Sequence, residues 1–218
     1  MRKVAIRSLS LMVFVVGISG VARAAEIQRV SFSGSQAVVG FFGSAQITCA
    51  DGLFGFAAAT GSLSGAEQIF ASTGSPPSMA NGVFVQIDSY FNTCTGVSVG
   101  GASGGITDGF TAPDKKLTSA TMAGTTLVQD FGTGAQISVT VDVDVIGTGQ
   151  ITQSKGHNKT TLKGSTGGPI QVTMSRSANG NRTGTPEGTI SVDGVAIAPE
   201  FFFSILVNNS SAQQTITK

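Results

Sequence analysis

Residues 136–146 (QISVTVDVDVI) alternate without a break. Ile137, Val139, Val141, Val143 and Val145 fall on one parity, and Gln136, Ser138, Thr140, Asp142 and Asp144 on the other. A period of two is the pattern of a β-strand with one dry and one wet face. Burying each of the five aliphatic side chains is worth about 1.5–3 kcal/mol before the entropy of ordering is subtracted. A slip of one residue would carry both aspartates into the core, so the pairing register is strongly specified.

Weaker copies of the pattern run through the chain. Short strands are predicted at 27–33 (IQRVSFS), 36–42 (QAVVGFF) and 44–49 (SAQITC), with a break at Gly34-Ser35. Further strands are predicted at 82–91 (GVFVQIDSYF) and 169–176 (PIQVTMSR). The segments 189–193 and 195–198 flank Asp193-Gly194, the signature of a two-residue type I′ hairpin. Residues 201–207 (FFFSILV) are apolar on both parities, which predicts a central strand covered on both sides. Connections are predicted at 61–65, at 72–82 with a closing Asn81-Gly82 turn, at 100–105, at 154–168 and at 178–188. Residues 113–116 (PDKK) could open a short helix, and the polar tail 208–218 reads as an edge strand. About ten strands at this spacing predict one all-β domain over 25–218, an antiparallel β-sandwich.

Residues 1–24 read as an address rather than as part of the fold. Arg2, Lys3 and Arg7 precede an apolar run over 9–21, and Ala22-Arg23-Ala24 is a small-x-small cleavage site. The run is short for a permanent span, so a signal peptide cleaved before Ala25 is expected. The destination is secreted or extracellular, with the periplasm as the alternative. The mature chain is expected to carry no transmembrane segment.

Composition narrows the function classes. Removing 1–24 takes away four basic residues and no acids, leaving nine basic against twelve acidic residues, net −3. That balance offers no electrostatic reason to bind nucleic acid. Charged residues make up 11% of the chain, against about 25% in typical domains. The sheet surface is therefore clothed in hydroxyls rather than ion pairs. Cys49 and Cys94 are the only cysteines; in an exported chain they are expected to form a disulfide. Once it forms, one histidine remains, too few ligands for a structural zinc site, and no cofactor is implied.

Catalytic candidates are sparse. Asp142 and Asp144 project from one strand face about 7 Å apart. Glycoside hydrolysis uses carboxylate pairs at about 5–9 Å, so the pair could serve a secreted hydrolase; a wet sheet face is the preferred reading. His157, the only histidine, sits among Lys155, Gly156, Asn158 and Lys159 and reads as an exposed loop residue with no acid nearby in sequence to orient it. Residues 101–105 (GASGG) match G-x-S-x-G, but Gly104-Gly105 is a poor helix start for a nucleophile elbow. Sugar binding recruits exposed aromatics, and the chain has no tryptophan and one tyrosine, Tyr90. Lys155, Lys159, Lys163, Arg176 and Arg182 give 155–182 a positive bias that could meet an acidic surface polymer, although a solvated loop is the preferred reading.

Four blocks carry a family likeness: 92–96 (NTCTG), 116–121 (KLTSAT), 129–134 (QDFGTG) and 139–149 (VTVDVDVIGTG). In them the chain resembles a family of uncharacterised secreted bacterial β-rich proteins. The resemblance implies export and a β fold and lends no activity and no site residues. A thinner likeness, to chaperone–usher pilins, rests on the cysteine pair; the ending QQTITK lacks the alternating aromatic pattern of such subunits. The expectation is an exported, non-catalytic β-sandwich acting through surface interaction at or outside the cell envelope, toward a surface polymer or protein. The alternatives are a secreted hydrolase using Asp142 and Asp144 and a self-assembling surface subunit.

Overall fold

In the computed structural model, residues 26–163 and 170–217 are described. The expected signal peptide and its cleavage site lie outside them, as does the end of the predicted 154–168 connection. The described residues form ten strands and no helix: β1 (Glu26–Thr48), β2 (Phe54–Ser72), β3 (Ser75–Asn92), β4 (Val97–Thr107), β5 (Phe110–Thr111), β6 (Ser119–Asp130), β7 (Gln136–Gly147), β8 (Thr152–Lys163), β9 (Ile170–Val192) and β10 (Val195–Thr217). All pairings are antiparallel and belong to one sheet, in the order β10-β1-β2-β3-β4-β6-β7-β9-β8. β10 also pairs with β9, so eight of the strands close a ring. The two layers expected of a sandwich are opposite walls of this one rolled sheet. Strand length explains the closure: at 23 residues, β9 reaches β7, β8 and β10 along its course.

The strands are longer than the sequence pattern suggests. The segments 27–33, 36–42 and 44–49 are one continuous β1, and the predicted break at Gly34-Ser35 is paired on both sides. The predicted break at 61–65 lies inside β2. There glycine answers to packing rather than to a turn: a Cβ on Gly65 would run into the Phe110 ring inside the barrel. The predicted connections 100–105 and 178–188 likewise lie inside β4 and β9. The predicted loop 72–82 is a turn followed by strand from Ser75. Asn81 is paired there, and its side chain holds the Phe110 backbone on both sides, donating to its carbonyl at 2.6 Å and accepting from its N–H at 3.1 Å. Residues 114–117 form a turn rather than a helix, because the Asp114 carboxylate accepts from the Lys116 and Thr118 N–H groups. The tail is not an edge strand: residues 208–217 pair with both β1 and β9.

Where pattern and turn chemistry agree, the structure follows them. Ile137, Val139, Val141, Val143 and Val145 are buried and their alternates face out. Asp193 and Gly194 take φ of 52° and 76°, the positive values a type I′ turn requires. Cys49 and Cys94 are bonded, with Cα atoms 5.1 Å apart. The bridge joins the ends of β1 and β3 across β2, and a Cβ on Gly55 of β2 would meet both sulfurs.

The segment 201–207 departs from expectation. β9 pairs with this part of β10 only from Ile205 onward, and a bulge at Phe202 interrupts the register with β1. Phe202 and Phe203 are consequently exposed, and Phe202 stacks on Phe42 with centroids 6.5 Å apart on the outside of the barrel.

The barrel has one thin seam. β4 meets β6 through only two paired positions, Ala102 with Asp130 and Ser103 with Gln129. Asp130 reinforces it. The side chain is 3% exposed and its carboxylate accepts from the N–H groups of Gly100 on β4, Gly132 and Thr133. The Gly100 N–H and its companions hold this carboxyl below its ordinary pKa, and the Thr118 N–H does the same for Asp114. A carboxylate with a depressed folded pKa contributes stability that is present above its unfolded value and lost as pH falls through the folded one. The melting temperature is therefore expected to stay level near neutrality and to drop as pH falls below about 4. Asp130→Asn and Asp114→Asn together should flatten that acid limb. Thermal melts across pH that decline equally in the variant would refute these two groups as its origin.

Candidate binding groove

Beyond the closed barrel the sheet continues as an open extension. The β7 ladder with β9 ends at Gly147 opposite Gly184, and β8 takes over at Thr152 opposite Asn181. The predicted polar loop at 154–168 is thus mostly strand: its residues pair along β9 up to Lys163. At this end the order is β3-β2-β1-β10-β9-β8, and β3 does not meet β8, so the inner face opens to solvent.

Directly paired residues of an antiparallel sheet share a face, and alternate residues return to it. One transverse row reads Ile69, Ser33, Ser210, Ala178 and Lys155, from β2 to β8. The next reads Ser31, Ala212, Arg176 and His157, and the one beyond it Arg29, Gln214, Met174 and Lys159. With strands about 4.8 Å apart, a five-strand row runs about 19 Å. Ser31 and Ser33 have the parity of Ala37 and Val39, so this face continues the inner surface of the barrel. The first two rows line a groove of about 380 Å³, with serines at its centre and Lys155, His157 and Arg176 at its β8 end.

The electrostatics are one-sided. The register places Arg29, Lys155, Lys159, Lys163 and Arg176 on this face, and among the described residues Glu67 is the one acid beside them. Arg182 shares the parity but is engaged. It donates to the Gly149 carbonyl at 3.0 Å and to those of Lys116 and Leu117 at 3.4 Å, closing the barrel beneath the groove.

The catalytic candidates do not converge. Asp142 and Asp144 stand on the outer face of β7, whereas His157 stands on the inner face of the extension. Asp144 accepts from the Thr121 hydroxyl at 2.6 Å and lies opposite Glu187. Neither aspartate lines the groove. Ser103 of the G-x-S-x-G match lies within β4 and is paired with Gln86 and Gln129, without the strand–turn–helix that aims a nucleophile. Among the described residues no group of three His, Cys, Asp or Glu side chains is placed to hold a metal ion.

Tyr90 is buried, which pushes its phenol above the ordinary tyrosine pKa; Asn92 donates to its oxygen at 3.3 Å. The one tyrosine is therefore not a stacking platform. The basic bias is legible along the chain, but the serines Ser31, Ser33 and Ser210 that join it lie far away in sequence. The available signal was parity: Lys155, His157, Lys159 and Lys163 alternate with Gly156, Asn158, Thr160 and Leu162.

Among the described residues no helix is long and apolar enough to cross a membrane. The intramolecular disulfide fits a protein that matures outside a reducing cytoplasm. Compared with known proteins, the chain matches no protein-family model, no curated protein and no solved structure.

Proposed function

We propose that the protein is exported and works by binding, without catalysis, at or outside the cell envelope. Its binding face is the groove on the inner surface of the sheet extension. The observation that carries the reading is the groove's lining: serine hydroxyls flanked by Lys155, His157 and Arg176, with no carboxylate among them. Such a surface offers hydrogen-bond donors and positive charge but no acid–base pair for hydrolysis. The signal-peptide pattern of 1–24, the disulfide and the resemblance to secreted bacterial β-rich proteins support export.

Filling the groove tests the reading. Mature protein should be retained on native cell-surface material, and Ser33→Trp should abolish retention while leaving the disulfide and the melting temperature intact. Retention unchanged in Ser33→Trp would remove the groove as the binding face. Shortening of a retained polymer, lost in Asp142→Asn with Asp144→Asn, would replace binding by hydrolysis.

A further inference from the structure

We infer that the occupant of the groove is an acidic polysaccharide, a chain of sugars bearing carboxylates; this rests on the binding reading above. The cations have two possible purposes, and their positions separate them. Lysines on an edge strand deter pairing with other chains, which would account for Lys155, Lys159 and Lys163 on β8. Arg176 has no such duty. It lies on β9, paired with Ala212 of β10 on one side and His157 of β8 on the other. A cation on an interior strand, facing a groove, is placed for an anion.

The remaining lining selects among anions. Ser31, Ser33 and Ser210 each donate and accept, matching the hydroxyls of a sugar, while Lys155 and Arg176 match its carboxylates. A nucleic acid strand asks for stacking platforms as well as charge. The chain has no tryptophan, its one tyrosine is buried, and the one aromatic residue lining the groove, Phe32, lies on the alternate parity of β1 with its ring over Gly34. A polymer fits better than a small anion, because the row from Ile69 to Lys155 extends about 19 Å across five strands. Lys159 and Lys163 continue the same parity along β8, where a chain leaving the groove would pass.

The test uses mature protein with polygalacturonate, neutral dextran and single-stranded DNA as probes, read by calorimetry at several salt concentrations. Polygalacturonate should bind, more weakly as salt rises, and dextran should not. Lys155→Gln with Arg176→Gln should weaken polygalacturonate about tenfold at unchanged melting temperature. The charge-keeping pair Lys155→Arg with Arg176→Lys, and Lys115→Gln on the distant turn, should keep most of the affinity. DNA bound as tightly as polygalacturonate would overturn the assignment to a sugar. No binding of polygalacturonate, with Ser33→Trp-sensitive retention on cell-surface material still present, would overturn the ligand and leave the binding reading standing. Loss of both would sink both.

Discussion

Replacing Cys49 and Cys94 together by serine is expected to lower folding stability by about 4 kcal/mol. The magnitude follows from the 45-residue separation, since the crosslink removes the entropy of that loop from the unfolded chain. The location sharpens the expectation. The bridge spans β2 and ties β1 to β3, so its loss frees three neighbouring strand ends at once. Reduction of the native protein should move the denaturant midpoint as the double variant does. Gly55→Val should mimic part of the effect, because its side chain must displace the two sulfurs. A double-serine variant that unfolds within about 1 kcal/mol of the native protein would show that the ladders alone hold these ends.

Val141→Asp is expected to cost about 4 kcal/mol or more, enough to unfold the chain. Val141 is 1% exposed, between Gly124 of β6 and Ile190 of β9, and an aspartate there has no partner. Asp142→Val, one residue on, faces solvent and should change stability by no more than about 0.5 kcal/mol. The pair tests strand parity directly, with chemical denaturation as the readout. Similar losses from both substitutions would mean that the acid face of β7 is structural. Tolerance of both would mean that the strand does not hold its register.

How much could be read from the chain depends on the range of the interaction concerned. The aliphatic alternation of β7, the type I′ turn at Asp193-Gly194 and the Cys49–Cys94 bond were legible because each is written in a few residues. The glycine-rich stretches misled: Gly65 reads as a break but is the space left for the Phe110 ring, which arrives from far along the chain. The run at 201–207 misled for a related reason. Apolar residues on both parities suggest cover on both faces, yet β9 pairs with this part of β10 only from Ile205, so Phe202 and Phe203 remain exposed. For the binding face, the bias of 155–182 was visible, but Arg182 could not be told from Arg176. One is spent on the carbonyls of Lys116, Leu117 and Gly149, the other faces the groove.

By itself, the chain determined an antiparallel all-β fold, the inward parity of β7 and its one crosslink. These rest on side-chain period, turn stereochemistry and the pairing of two cysteines, and none needs a distant neighbour to be named. Only the tertiary structure decided that eight of the ten strands of one sheet close into a ring, that Asp130 fastens its thinnest seam, and that serines from both ends of the chain meet Lys155 and Arg176 in one groove. Each of these follows from ladder register between segments remote in sequence. Once β1, β9 and β10 are aligned, every residue on a shared row is brought together regardless of its distance along the chain.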